Sequence, residues 1–315
     1  MKHLNPFKSI VFPVSLLTAI LFGLTVRAAG QDPNANPLFT EKKIKNFLPH
    51  MTWAEVEQAL KRTDAVIIPL GSIEQHAKHL PLGADTYQAV EICKLIAQKA
   101  DALVVPAVFA GLSSHHMGFP GTIALTPETF EAVVIETAQS LIKHGFRKIL
   151  FYNGHGGNSV SLANIIQKIN QTTPATAFDL GRVEVPRKEP LYPPIPYDVH
   201  AGVDETSSVL YLAGSLVDMS KAENPVLTFP PDVMKLDEKA KADPLLGQLA
   251  GSMRFRPIET GKKTSTREMT NTGAVTTGDI KAATAERGRR EIEEYVAAAA
   301  KFIEEWRKAK SLNCP

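Results

Sequence analysis

A carboxylate, an imidazole and a second carboxylate follow one another closely in the sequence, at Glu74, His76 and Asp85. In an extended loop, side chains two residues apart point the same way, so Glu74 and His76 can face one pocket. Oxygen and nitrogen donors gathered in this way can hold a divalent metal, and a metal can activate water near neutral pH. The structural alternative is that Asp85 caps a helix together with Gln88, while the other two side chains are solvated.

A histidine among glycines is a second candidate. His155 lies in the segment 153–158, directly after the apolar run Lys148 to Tyr152. Glycines beside an imidazole at the end of a strand leave room for a ligand to approach closely. The structural alternative is a glycine-rich turn with an incidental histidine. A phosphate cradle is disfavoured, because the Lys and the Ser or Thr of a P-loop are missing.

The third candidate lies where a loop leads into an apolar helix. His200 and Glu205 place an imidazole and a carboxylate at this junction. A group that titrates near neutrality beside a carboxylate is suited to proton transfer. The structural alternative is that Asp204 or Thr206 caps the helix and that His200 is a surface residue.

Two adjacent histidines, His115 and His116, form the fourth candidate segment. Adjacent side chains point apart in an extended chain, so we expect at most one of them to face a site. Close to the first motif, Lys78 predicts a positive charge near the entrance, which would favour an anionic substrate.

Taken together, the four segments resemble the creatininase family of metal-dependent amidohydrolases, from about Ala65 to Ser207. The family pattern is Glu-x-His, then Asp, then Asn-Gly-His, then His-Ala followed by Glu-Thr-Ser. Six residues of this chain fill those positions: Glu74, His76, Asp85, His155, His200 and Glu205. The resemblance implies an α/β fold, a single-domain three-layer α/β/α sandwich with a mainly parallel sheet. It also implies a homo-oligomer, commonly a hexamer.

The resemblance implies a reaction as well. Members of the family hydrolyse a C–N bond of a small amide, cyclic amides included, with metal-activated water. The expected cofactor is a divalent metal, two ions per subunit, and mixed nitrogen and oxygen ligands suit Zn, Mn or Fe. Asp85 would bridge the ions, with Glu74 and His155 on one ion and His76 on the other.

Two departures from the family bear on the substrate. Creatinine-hydrolysing members place a Glu two residues after the histidine of Asn-Gly-His, where this chain has Gly157. Glu205 would then give the second ion its carboxylate or deprotonate the water, and His200 would protonate the leaving nitrogen. Those members also close the site with tryptophans, whereas Trp53 and Trp306 lie elsewhere in this sequence. Creatinine is therefore not the expected substrate.

Other functions stay open. A metal-dependent hydrolase of the same fold could open a lactone, or cleave a formamide or a peptide bond. A protein of a different class, a non-catalytic exported metal-binding protein, would keep the metal and lack turnover. The pairing of His200 with Glu205 disfavours that class, because structural metal sites seldom need further acid–base groups.

The elements that must position these residues alternate between strands and helices. Apolar runs predict strands at Ala65 to Leu70, Leu103 to Phe109, Lys148 to Tyr152 and Ala175 to Leu180. Helical periodicity occurs at Thr52 to Arg62, Thr86 to Ala100, Pro127 to His144, Ser159 to Gln171 and Ala282 to Lys310. Alternation of this kind implies parallel βαβ units, whose loops after the strands form the ligand crevice. The segments 185–197 and 224–272 are expected to be irregular.

Length and composition limit the class of protein. A chain of 315 residues with 44% hydrophobic content suits one large α/β domain. The net charge of +2 with no basic block makes nucleic acid a poor partner, and a small amide remains the expected one. Of the two cysteines, Cys93 and Cys314, we expect Cys93 to be a buried free thiol.

The N-terminus resembles a secretory signal peptide. Lysines precede an apolar run from Ile10 to Leu24, and a small-x-small pattern ends at Ala28. We therefore expect a signal peptide over residues 1–28, a spacer and lead-in over 29–50 and the hydrolase domain over 51–315. The processed protein would be exported, periplasmic or secreted, with no membrane contact. An uncleaved membrane anchor is the alternative.

Overall fold

A parallel sheet of four strands lies at the centre of this computed structural model. In chain order, the strands are β1 (Ala65–Leu70), β2 (Leu103–Val104), β3 (Lys148–Asn153) and β4 (Thr176–Asp179). Their order across the sheet is β2-β1-β3-β4. The structure describes residues 42–228 and 266–309, together with positions 235, 236, 238, 239, 243, 246 and 249 between them.

The second strand is much shorter than predicted. The expected strand from Leu103 to Phe109 ends at Val104. Pro106 has no backbone N–H to donate to a neighbouring strand, which interrupts the ladder. Pairing with β1 resumes only as an isolated bridge between Leu70 and Val108.

Helices connect and cover the strands. Within residues 42–228 and 266–309, the α-helices are α1 (Trp53–Leu60), α2 (Ala84–Ala100), α3 (Pro127–Lys143), α4 (Ser159–Thr172), α5 (Val203–Ala213) and α6 (Ala285–Lys308). Local sequence explains their ends: the Thr126 side chain caps α3, Pro127 occupies its first turn, and Gly145 follows it with φ +111°. The predicted helices therefore form with shifts of only a few residues.

The core has two halves, one on each face of the sheet. Side chains alternate along β1, so Val66 and Ile68 pack against α1, α3 and α4, whereas Ala65 and Ile67 pack against α2 and α6. Helix α5 packs on α6. This arrangement is a three-layer α/β/α sandwich with a mainly parallel sheet, and it confirms the predicted fold class.

A second, smaller sheet was not predicted. Its antiparallel strands are β5 (Asp198–His200) and β6 (Val275–Thr276). The preceding segment 185–197 contains no strand or helix, as expected. Most of the segment 224–272 lies outside the described residues, but its described positions 235, 236, 238, 239, 246 and 249 are helical, so the expectation of an irregular segment is wrong there. Because β5 ends at His200, this small sheet fixes the position of that histidine.

Several predictions concern positions at the two ends of the chain. The signal peptide, its cleavage near Ala28 and the thiol of Cys314 lie outside the described residues. Cys93 is a free thiol, fully buried in α2, as predicted. In the described ranges, no helix combines the length and the apolar character needed to cross a bilayer.

Candidate metal centre

The six predicted site residues come together at the carboxyl edge of the central sheet. Glu74 and His76 lie in the loop after β1, and His155 lies in the turn after β3. Strands β1 and β3 are parallel neighbours, so their following loops meet at one edge. Glu74, His76, Asp85, His155 and His200 are buried, and the Glu205 side chain is 21% exposed.

Asp85 occupies the middle of the cluster. Its Oδ1 lies 3.1 Å from His76 Nε2, and its Oδ2 lies 3.1 Å from His155 Nδ1. Glu74 Oε2 is 3.3 Å from the same His155 nitrogen, and Glu205 Oε1 is 3.4 Å from His76 Nε2. Asp85 therefore joins two groups of ligands, one with Glu74 and His155 and one with His76 and Glu205.

Backbone carbonyls orient the two histidines. His76 Nδ1 donates to the Glu74 carbonyl at 3.0 Å, and His155 Nε2 lies 3.3 Å from the Leu112 carbonyl. A carbonyl can only accept a hydrogen bond, so each neutral ring carries its proton on that side. Each lone pair then points at carboxylate oxygens, as in histidines that bind metals.

The carboxylates lack other partners. Among the described residues, no hydrogen bond satisfies Glu74 Oε1, Glu74 Oε2 or Asp85 Oδ2, although all three atoms are buried and only histidine nitrogens at 3.1–3.6 Å face them. Buried polar atoms are normally satisfied, so a lone pair that faces a buried carboxylate needs a proton or a cation between them. The residues present therefore fit a divalent cation.

The charges of the cluster depend on one another. Burial opposes ionisation of Glu74, yet its contact with His155 lowers the pKa of that carboxyl to about 2. Burial likewise disfavours the His155 imidazolium, but bonds to Asp85 and Glu74 raise its pKa to about 10. Burial also opposes the charge of His76, and Glu205 and Asp85 outweigh it, so the pKa of His76 lies well above its usual value. Without a cation, protons on the two histidines balance the carboxylates.

The interpretation of Asp85 as a helix cap is wrong. Helix α2 begins at Ala84, earlier than predicted, so Asp85 lies in its first turn and not at its cap. The Asp85 carboxylate contacts imidazoles instead. Gln88 makes no capping box with it and instead donates to Glu205 Oε1 at 3.3 Å.

The expected cap of α5 also differs. Neither Asp204 nor Thr206 caps this helix, because Asp198 on β5 accepts from the backbone N–H groups of Val203 and Asp204 at 3.2 and 2.9 Å. His200, at the end of β5, is buried and is not a surface residue.

Both adjacent histidines reach the site, so the expectation that at most one would face it is wrong. Residues Ser114–His116 form a 3₁₀ turn, where adjacent side chains do not point in opposite directions as they do in an extended chain. His116 Nε2 lies 3.4 Å from Glu74 Oε1. The His115 ring stacks on His155 with the centroids 5.7 Å apart. A turn so short leaves no periodicity in the sequence from which it could have been predicted.

A pocket of about 430 Å³ opens beside the cluster. It is lined by Glu74, His115, His116, His155, Gly156, Gly157, Val199, His200, Thr266 and Val275. Burial is the main cause that lowers the pKa values of His115, His116 and His200, so these three rings are neutral at neutral pH. Lys78 does not line this pocket: its ammonium pairs with Glu223 at 2.8 Å, which neutralises the predicted positive charge.

Comparison with known proteins identifies the family. The family model described as creatininase, creatinine amidohydrolase, matches residues 49–303. The chain belongs to the creatininase family. Within the family, it is 32% identical over 212 residues to a creatinine amidohydrolase of Pseudomonas putida, covering 61% of this chain and 82% of that protein. It is 34% identical over 154 residues to a mycofactocin precursor peptide peptidase of Mycolicibacterium smegmatis, covering 47% and 58%.

Solved structures share the fold. A creatinine amidohydrolase homologue from Bacteroides fragilis superposes with a TM-score of 0.64 at 24% identity, covering 86% of this chain and all of that one. A manganese form of creatininase superposes with a TM-score of 0.61 at 24% identity, covering 84% and 99%. At this identity the likeness establishes the fold alone. The named relatives act on different substrates, and hydrolysis is what their names share.

Proposed function

We propose that this protein is a metal-dependent amidohydrolase that cleaves the C–N bond of a small amide. The observation that carries the proposal is the position of Asp85 between two histidine nitrogens, each also facing a second carboxylate. Such an arrangement is typical of a carboxylate that bridges two ions. The chain belongs to a family of hydrolases, which supports hydrolysis as the reaction that this site carries out.

The proposed ligands fall into two sets. Glu74, Asp85 and His155 would hold one ion, and His76, Asp85 and Glu205 would hold the other. Mixed nitrogen and oxygen donors suit Zn, Mn or Fe. When bound, the pair of ions supplies Lewis acidity, which lowers the pKa of coordinated water towards ~7 and polarises the substrate carbonyl.

The protein itself moves the protons. Glu205 is held by the Ala201 N–H at 2.6 Å and by Gln88, which aims its carboxylate at the cluster. We assign to Glu205 the role of general base, which accepts a proton from the attacking water. His200 lines the pocket and is neutral at the start of the reaction, so it can take up this proton and pass it to the leaving nitrogen. In sum, a C–O bond forms, the C–N bond breaks, and the nitrogen leaves as an amine.

The pocket argues for a compact substrate other than creatinine. Its volume of about 430 Å³ lies within the range of small-molecule sites, roughly 300–1,000 Å³. The glutamate expected of creatinine-hydrolysing members at this position does not fit where this chain has Gly157. A Cβ there would lie 2.4 Å from His155 Nε2 and 2.5 Å from the Leu112 carbonyl oxygen.

Peptide-bond hydrolysis is the second candidate. Relatives from Mycolicibacterium smegmatis and Mycobacterium tuberculosis, 34% and 31% identical to this chain, are peptidases of a precursor peptide. The same proton transfers would serve a peptide amide. Purified protein loaded with zinc or manganese should be offered cyclic amides, formamides, lactones and short peptides. Turnover of peptides alone would favour the second candidate, and turnover of lactones alone would refute both amide hypotheses.

Metal removal and one matched pair of variants test the mechanism. Chelation should abolish turnover and metal add-back should restore it; activity indifferent to the chelator would contradict the proposal. Glu205→Gln should lower kcat by on the order of 10²-fold or more, because amide oxygen and nitrogen cannot accept the proton. Glu223→Gln is the control, because Glu223 is exposed and pairs with Lys78 outside the pocket. A Glu205→Gln enzyme with wild-type kcat and metal content, or a metal-binding protein without turnover, would exclude the assigned role.

We also propose that the protein is exported and oligomeric. The apolar run and small-x-small pattern that end at Ala28 motivate the first statement. Cell fractionation with N-terminal sequencing tests it, and a cytoplasmic chain with its first residues intact would contradict it. Analytical ultracentrifugation of the processed protein tests assembly, for which we expect a mass that is a multiple of the protomer's.

A further inference from the structure

One glutamine contacts two histidines of the pocket. The side-chain nitrogen of Gln75 lies 3.0 Å from His116 Nδ1 and 2.9 Å from His200 Nε2. All three side chains are buried, so water does not compete for these contacts. The Gln75 amide has two hydrogens, and the groups around it decide where each one goes.

Two backbone groups set the orientation of this amide. The Ala77 N–H donates to Gln75 Oε1 at 2.9 Å, and Gln75 Nε2 donates to the Gly273 carbonyl at 2.9 Å. If the oxygen and nitrogen of the Gln75 amide were exchanged, its oxygen would face the Gly273 carbonyl oxygen and its N–H groups would face the Ala77 N–H. Both contacts would then be repulsive. One hydrogen of Gln75 Nε2 is thereby used, and the other points towards the histidines.

His200 cannot accept that hydrogen. Its Nε2 lies 2.6 Å from the backbone carbonyl of Gln75, which accepts and never donates. His200 Nε2 therefore carries the ring proton of the neutral imidazole. Its other nitrogen, Nδ1, is unprotonated, and the lone pair on Nδ1 faces Glu74 Oε1, which lies 3.6 Å from that nitrogen.

His116 must accept instead. The remaining hydrogen of Gln75 and the hydroxyl of Thr266, which is 2.7 Å away, both converge on His116 Nδ1. With Nδ1 accepting, the neutral ring carries its proton on Nε2. That N–H lies 3.4 Å from Glu74 Oε1, and its residue lines the pocket.

We infer that Gln75 gives His116 and His200 opposite tautomers, so that His200 presents a proton acceptor to the pocket and His116 a hydrogen-bond donor. Resting on the proposed function, His116 is then a further catalytic residue. Its N–H donates to the carbonyl oxygen as negative charge builds on it, and it keeps its proton throughout. Gln75 is a positioning residue, because it acts only through the two rings. The same tautomer leaves His116 without a lone pair towards Glu74, so it is not a metal ligand.

Nitrogen NMR tests the tautomers without reference to turnover. The protein should be labelled with ¹⁵N-histidine, loaded with diamagnetic zinc, and compared with His116→Gln to assign the His116 signals. We expect the pattern of a neutral ring protonated at Nε2. In Gln75→Glu the side chain has no hydrogen to donate, and we expect His116 to change to the Nδ1 tautomer. Gln98→Glu, on the exposed face of α2, is the matched control and should change neither ring.

Kinetics then test the role of the donor. His116→Ala should lower kcat by on the order of 10²-fold with KM and zinc content close to wild type. His116→Gln, which keeps an N–H near the same position, should recover part of this loss. An Nδ1-protonated His116 in the wild-type protein, or a His116→Ala enzyme with wild-type kcat, would overturn the inference. A protein with the expected tautomers and no hydrolysis of any amide would support the tautomer assignment and refute the proposed function.

Discussion

A methyl group at position 157 should weaken metal binding by roughly 10- to 100-fold, as expected when a group that orients a metal ligand is lost. The Cβ of Gly157→Ala would lie 2.4 Å from His155 Nε2 and 2.5 Å from the Leu112 carbonyl oxygen. These two atoms are themselves only 3.3 Å apart, so the methyl would intrude on the contact that orients the His155 ring. The backbone oxygen cannot swing away as a side chain can, and the ring must move from the cluster.

The free-energy cost of overpacking and the free energy that corresponds to the expected loss of metal affinity are similar in size. Overpacking a dense region costs about 1–3 kcal/mol. A 10- to 100-fold loss of affinity corresponds to about 1.4–2.8 kcal/mol. The strain therefore suffices to account for the loss. If the His155 ring moves away from the Leu112 carbonyl to relieve the strain, the variant loses metal affinity. If the ring stays in place, the strain instead lowers the unfolding temperature.

The neighbouring glycine provides the control. A Cβ on Gly156 would meet no atom within 4 Å, although Gly156 lies in the same turn and lines the same pocket. Zinc affinity should be measured for both variants by competition with a chromophoric chelator, with unfolding temperature recorded for each. Gly156→Ala should match the wild type within about twofold in affinity, well inside the 1.4 kcal/mol of a tenfold change. Wild-type affinity and stability in Gly157→Ala would refute this account of the turn.

Two further predictions concern charge and backbone strain. Since the pKa values of His76 and His155 are raised, the latter to about 10, both rings are protonated in the metal-free protein at pH 7.5. Each ion should then displace about one proton, and affinity should fall about tenfold per unit as pH decreases below these values; calorimetry in buffers of different ionisation enthalpy measures the release. Ala77 adopts φ +56°, which costs a residue with a Cβ about 1–2 kcal/mol, so Ala77→Gly should stabilise the protein by about 0.5–1 kcal/mol in urea unfolding. Ala132→Gly, exposed in the middle of α3, should destabilise it by about 1 kcal/mol.

Much of the framework can be predicted from the sequence, because it rests on local patterns. The continuous apolar run of β1 and the caps around α3 depend on residues close together in the chain. Parallel strands then bring the loops after β1 and β3 to one edge, whatever the packing details. For this reason the order of strands and helices suffices to place Glu74 and His155 at one site.

Other contacts depend on the tertiary structure alone. Gln75 reaches His200 and Gly273 where β5 and β6 pair, and no local pattern predicts that pairing. Likewise, only the 3₁₀ turn brings both His115 and His116 to the pocket.

The sequence by itself determined the ligand types and the edge of the sheet where they gather. Residue chemistry and the order of strands and helices depend only on residues close together in the chain. Only the tertiary structure decided that Asp85 lies between His76 and His155, and that Gly157 leaves no room for a carboxylate. Those outcomes depend on distances between residues far apart in the chain, which periodicity and spacing do not specify.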